Sequence, residues 1–308
     1  MKSLLKAAYS YDALWQAANL CDLADELDEL VRHGAHQKIT VPPREIIDVE
    51  GDQGICLSMP AVSSQHGLYI NKVATIFERL ADDPRPRIHA LVTAFSARTG
   101  ELLALLDGAA VTNIKCAAVS ALVTRYCSAD NAEVLAVIGA GVQARQQVHA
   151  VCAVRRIREI RLHARNPARL RAFAEEVQAE FGERAKVVVA ASVDEAVAGA
   201  DVISTATASS DPIGRFAHLK PAVHINCMGG HTVTSRELPR EVIESAVLVV
   251  EDVATAVAEA GKHHRDALGL DKLVSHASDD LKSRMTVFSS TGHAFLDLVT
   301  VAYLLRVV

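Results

Sequence analysis

Hydrophobic positions along the chain change their period more than once, and the changes divide it into stretches of different structure. Over residues 10–33, Leu14, Ala17, Ala18, Cys21, Ala24, Leu27 and Leu30 recur at helical spacing, which predicts a single amphipathic helix. Ser10 stands where an N-cap belongs and Gly34 just past the end. The acidic face (Asp22, Asp25, Glu26, Asp28, Glu29) reads as a solvated face. From Ile46 to Leu106 the period becomes two. Residues 46–49, 55–59, 69–77 and 88–95 read as strands, and Thr99-Gly100 turns the chain into another at 101–106. Strands that follow one another without helices predict a mostly antiparallel sheet.

Residues 113–127 read as a linking helix, after which strand and helix alternate. Strands are expected at 134–138, 159–163, 186–189, 201–204, 223–226 and 247–251, with helices at 142–154, 168–181 and after the Ser192-Val-Asp-Glu195 capping box. Such alternation predicts a doubly wound parallel sheet of six strands. A last helix, 292–305, lies beyond this set and is expected to return to the first domain. The fold class is therefore α/β: a Rossmann domain over 112–288, with a smaller α+β domain from 1–111 and 289–308.

The run Val134 to Ile138 opens onto Gly139-Ala-Gly-Val-Gln-Ala144, so Gly139, Gly141 and Ala144 occupy the small-residue positions of a dinucleotide fingerprint. The helix beginning at Val142 and Gln143 would aim its first N–H groups at a pyrophosphate. Glycine also serves tight turns for purely structural reasons, but here a strand precedes it and a helix follows. After the second strand, Leu162-His-Ala-Arg-Asn166 lacks the carboxylate that grips a ribose diol. Arg165 and Asn166 could instead hold a 2′-phosphate, which favours NADP(H) over NAD(H); otherwise Arg165 is a solvated loop cation. Thr205, Ala206 and Thr207 follow the fourth strand, and Met228 and Gly229 the fifth, where cofactor contacts are expected.

The 308 residues allow two domains, half of them apolar, and a net charge of −5 with no basic stripe argues against nucleic-acid binding. Six scattered cysteines without a C-x-x-C pair suggest neither zinc nor disulfides, and no metal is expected. No secretory signal is evident, and Asp297 breaks the apolar C-terminal run, so a cytoplasmic, soluble protein is expected. Hydride transfer also needs a substrate holder, and Arg44, Lys72 and Lys115 of the first domain are candidates for a carboxylate.

The segments Gly-Ala-Gly-Val-Gln-Ala (139–144), Ser-Met-Pro-Ala (58–61), Gly-Leu-Tyr-Ile-Asn-Lys (67–72), Thr-Asn-Ile-Lys-Cys-Ala-Ala-Val-Ser-Ala-Leu (112–122), Ile-Asn-Cys-Met-Gly-Gly (225–230) and Ser-Ser-Thr-Gly-His-Ala-Phe-Leu-Asp-Leu (289–298) together resemble the ornithine cyclodeaminase/mu-crystallin family, end to end and in order. The resemblance implies a homodimer built through the first domain's sheet, a carboxylate-binding Arg44 and a substrate-contacting Lys72. Lys115 stands where a second arginine is usual. His231 replaces the catalytic aspartate of the cyclodeaminases, and Leu57 replaces one of their glutamates. These departures favour reduction of a ketimine or imino acid, or the reverse amino-acid dehydrogenation, over cyclodeamination with bound NAD. A mu-crystallin-like NADPH-dependent binding protein is the other alternative, although aromatic residues are few. Lys72 or His231 would supply the proton. Asp297 matches the family's aspartate and is a catalytic candidate, which would orient a neighbouring cation or cap a helix rather than itself react.

Overall fold

Alternation of buried and outward side chains, clearest along β4 (Leu68–Phe77), marks the N-terminal part as a sheet. In the computed structural model, which describes residues 7–49, 54–77, 86, 88–229, 232–233, 236–275 and 280–308, strands β1 (Ala8–Tyr9), β2 (Glu45–Asp48), β3 (Gly54–Ser63), β4 (Leu68–Phe77), β5 (Ile88–Ser96) and β6 (Leu102–Asp107) form one sheet in the order β1-β6-β5-β4-β3-β2. All neighbours are antiparallel except β1, which runs parallel to β6 and carries too few residues to show a period. Leu68, Ile70, Lys72 and Ala74 of β4 are buried while Tyr69 and Val73 are exposed, so one charged side chain sits in the apolar row.

The expected single helix over 10–33 is two: α1 (Tyr11–Ala17) and α2 (Leu20–Arg32). The hydrophobic spacing runs through the break, but the Asn19 side chain accepts the Cys21 N–H at 2.9 Å and the Asp22 N–H at 3.3 Å, starting a fresh helix. The linking helix α3 (Gly108–Cys127) begins ahead of the expected 113, where Asp107 accepts the Ala110 N–H at 2.8 Å.

Beyond α3, strands β7 (Val134–Ile138), β8 (Glu159–His163), β9 (Lys186–Val189), β10 (Val202–Thr205), β11 (His224–Cys227), β12 (Val247–Val250), β13 (Leu268–Gly269) and β14 (Thr286–Ser289) form a wholly parallel sheet, with α4 (Val142–Val154), α5 (Pro167–Phe181), α6 (Val193–Val197), α7 (Arg240–Ser245), α8 (Val253–Ala260) and α9 (Leu270–Ser275) between them. The order is β13-β12-β14-β11-β10-β7-β8-β9. The sheet thus has eight strands rather than the expected six. β14 enters between β11 and β12, because the short apolar run Thr286–Ser289 pairs with strands distant in sequence. The strand order reverses between β7 and β10, which creates the crevice at the carboxyl edge where doubly wound sheets bind ligands.

The last helix is α10 (Ala294–Val307), buried along nearly its whole length. The chain divides into two compact units, residues 1–115 with 294–308, and residues 116–293. Among the described residues, no helix is long and apolar enough to cross a membrane, and the six cysteines are free thiols.

Candidate active site

In the first unit, Lys72 on β4, Lys115 on α3 and Asp297 in the first turn of α10 come together. Lys72 Nζ donates to Asp297 Oδ1 at 2.9 Å and Oδ2 at 3.0 Å, and Lys115 Nζ lies 3.7 Å from Oδ1. Lys72 and Lys115 are each 5 % exposed and Asp297 1 %. Burial pushes the Asp297 carboxyl up. The charges of Lys115 and Lys72, the Lys72 hydrogen bond and the charge of half-buried Arg44 outweigh it and hold the carboxyl below its ordinary range. Asp297 is therefore an anion at neutral pH, an acceptor and not a proton donor.

The second unit carries the glycine turn. Gly139 has φ +121°, and a Cβ there would stand 2.4 Å from the Ala206 carbonyl oxygen, so only glycine lets β7 turn this close to the segment after β10. Gly141 differs: nothing lies within 4 Å of where its Cβ would be, and as N-cap of α4 it offers no side chain to the first N–H groups. An open, uncapped helix start with an exposed Val142 is a cradle that fits a pyrophosphate. Ala144 is fully buried and packs near the turn, and Gln143 is half-buried beside it.

Past β8, Arg165 is exposed and Asn166 caps α5, its Oδ1 accepting the Arg169 N–H at 3.0 Å. The Asn166 oxygen is thereby committed to the helix, leaving its amide nitrogen to meet a ligand. Thr205 is fully buried, with its hydroxyl given to Glu237 at 2.8 Å. Gly229 likewise donates its N–H to Glu237. Ala206, Thr207 and Met228 are half-buried, and the Met228 sulfur accepts the Ser120 hydroxyl at 3.4 Å. His231 lies outside the described residues.

Two buried carboxylates escaped the sequence reading. Glu237 is one, and Glu251 the other. Glu251 accepts the Ser290 hydroxyl at 2.5 Å and the N–H groups of Thr291 and Gly292 at 3.1 Å, which shapes the segment after β14. Neither belongs to a recognisable motif, and the only sequence signal is a carboxylate beside buried residues such as Leu238.

With this geometry in place, the comparisons with known proteins become specific. The profile of the ornithine cyclodeaminase/mu-crystallin family matches residues 11–306. The chain belongs to this family. Ketimine reductase mu-crystallin of Rattus norvegicus is 34 % identical over 262 residues, covering 84 % of this chain and 82 % of the relative. Delta(1)-pyrroline-2-carboxylate reductase of Bacillus cereus is 33 % identical over 290 residues, 89 % of this chain and 88 % of the relative. Among solved structures, the Thermococcus litoralis Delta(1)-pyrroline-2-carboxylate reductase in complex with NADH and L-proline superposes with a TM-score of 0.89 at 25 % identity, covering 97 % of this chain and 96 % of that one. These family members are similar across both units, not only across the glycine turn.

Proposed function

We propose that the chain is an NAD(P)H-dependent oxidoreductase that reduces the C=N bond of an imino acid at the carbon next to its carboxylate. The observation that carries this reading is the meeting of cations in the first unit: Lys72 and Lys115 both face the buried Asp297 carboxylate, and Arg44 adds a further positive charge to it. Buried cations favour an entering anion, and a substrate carboxylate is that anion. Relatives named ketimine reductase and Delta(1)-pyrroline-2-carboxylate reductase support the same substrate class.

Arg44 and Lys115 hold the carboxylate, Lys115 as a point charge rather than a fork. Lys72 holds the proton that the imine nitrogen receives, and Asp297 keeps the Lys72 ammonium oriented through its two oxygens. When bound, the reduced nicotinamide supplies the hydride. Fixing the imine carbon is then the protein's main contribution to rate. The Gly139–Ala144 turn holds the pyrophosphate. Exposed Arg165, with no carboxylate nearby in 162–166 and none in the first turn of α5, supports NADP(H) over NAD(H). Exposed Tyr69 and Val73 on β4, with Val73 paired to exposed Leu91 on β5, support a homodimer through that sheet. Six free thiols fit a reducing cytoplasm.

The test is NADPH and NADH oxidation with cyclic imino acids, and with pyruvate or glyoxylate plus ammonia or methylamine. L-ornithine with NAD is assayed in parallel for ammonia release. Imine-dependent oxidation, faster with NADPH and shifted towards NADH by Arg165→Ala, is the expected outcome. Ammonia from ornithine without net cofactor turnover would replace the reductase by a cyclodeaminase.

A further inference from the structure

Glu237 is the most completely enclosed carboxylate of the second unit, 0 % exposed. Among the described residues its partners are all neutral donors. Oε1 accepts the Thr207 N–H at 2.6 Å and the Thr207 hydroxyl at 2.5 Å, while Oε2 accepts the Thr205 hydroxyl and the Gly229 N–H, both at 2.8 Å. Its backbone carbonyl also accepts the Ile213 N–H at 2.9 Å. One carboxylate thus ties the segment after β10 to the segment after β11. The fit is tight: a Cβ on residue 229 would stand 2.2 Å from the Glu237 Cδ. These two segments lie at the carboxyl edge of the sheet, across the reversal of strand order from β8 and Arg165. A two-part ligand spanning that reversal lays one half over β7 and β8 and the other over β10 and β11.

We propose that Glu237 is the positioning residue for the nicotinamide half of the dinucleotide site, a proposal that rests on the dinucleotide reading above. It sets the 205–207 and 228–229 segments in their binding shape before the ligand arrives and touches neither ligand nor reacting atoms. A carboxylate suits the task because it only accepts, and every partner here donates. Glutamine has the same shape but turns an amide N–H₂ towards one set of donors, so one of the two segments comes loose.

The experiment is calorimetric titration of NADPH, and separately of 2′,5′-ADP, into the full-length wild type and into Glu237→Gln. The adenosine half alone reports on the β7 and β8 side; the full dinucleotide reports on both. Glu237→Gln is expected to weaken NADPH about tenfold, the usual worth of a charge-assisted hydrogen bond, and to leave 2′,5′-ADP within about twofold. Thr207→Val removes a single hydroxyl donor and is expected to show the same selectivity at about threefold, which keeps the test alive if Glu237→Gln does not fold. Equal weakening of both nucleotides would make Glu237 a general scaffold residue, and unchanged NADPH binding would remove it from the site; either overturns the proposal. A wild type that binds neither of these nucleotides, nor NADH titrated in parallel, overturns the dinucleotide reading and the proposal with it.

Discussion

Two buried carboxylates, one in each unit, solve the same physical problem in opposite ways. Asp297 is compensated by the cations Lys72 and Lys115, whereas Glu237 is compensated by neutral hydroxyl and amide donors. Cation compensation sets mobile, titratable side chains around the anion, and in the function proposed above these meet a substrate carboxylate and carry a proton. Compensation by fixed dipoles leaves nothing over. All of the Glu237 charge is used to hold backbone in place, and the group is a brace rather than a reagent. Burial alone therefore does not mark a carboxylate as reactive; the kind of partner does.

The most damaging way to break this contrast is Asp297→Asn. It strips the Asp297 anion from two buried lysines and is expected to cost about 3–5 kcal/mol in urea unfolding, with imine reduction falling in step. Lys72→Met keeps most of the side-chain volume, and a fall in kcat of about 10²–10⁴ is expected, the usual worth of a positioned acid. Full activity in that variant would move the proton elsewhere. In Glu237→Gln a smaller loss of stability is expected, about 1–3 kcal/mol, since the partners left behind are neutral. Equal losses in Asp297→Asn and Glu237→Gln would erase the distinction between the two sites.

The mildest test uses pH. Asp297 is held below its ordinary value, so its contribution is complete above the unfolded value of about 3.9 and is lost only as pH falls through the folded one. His224 behaves differently in window. It is fully buried between Thr286 and Asn226, and burial lowers it from 6.5 to about 3. The unfolded chain then binds a proton that the folded one refuses. Stability falls by up to about 1.4 kcal/mol per pH unit from 6.5 down towards 3 and is unaffected above. Urea midpoints measured across this range should flatten in His224→Gln from pH 6.5 downwards, and in Asp297→Asn only below about pH 4.

How much of this was readable in advance depends on how local each requirement is. The Gly139–Ala144 turn is legible because strand, turn and helix start all lie within one short segment. Lys72 was visible as a cation of the first domain and through the family resemblance, and the structure adds that it falls in the buried row of Leu68, Ile70 and Ala74. Asp297 stood out as a charge inside an apolar helix. The break at Asn19 was hidden because the hydrophobic spacing continues through it and one side chain decides the cap. The insertion of β14 between β11 and β12 was hidden because parallel strand order rests on pairings far apart in sequence. The Thr205 contact was hidden for a related reason: its hydroxyl goes to Glu237, remote along the chain.

The sequence by itself determined the alternation of elements, the glycine turn and the family, because periodicity, turn chemistry and motif spacing are properties of neighbouring residues. Tertiary structure alone decided which charges face one another. It set Lys72 and Lys115 against Asp297, and it gave Glu237 to two loops, since such pairings join residues up to 225 positions apart. No local pattern encodes that distance; only the packing of strands and helices closes it.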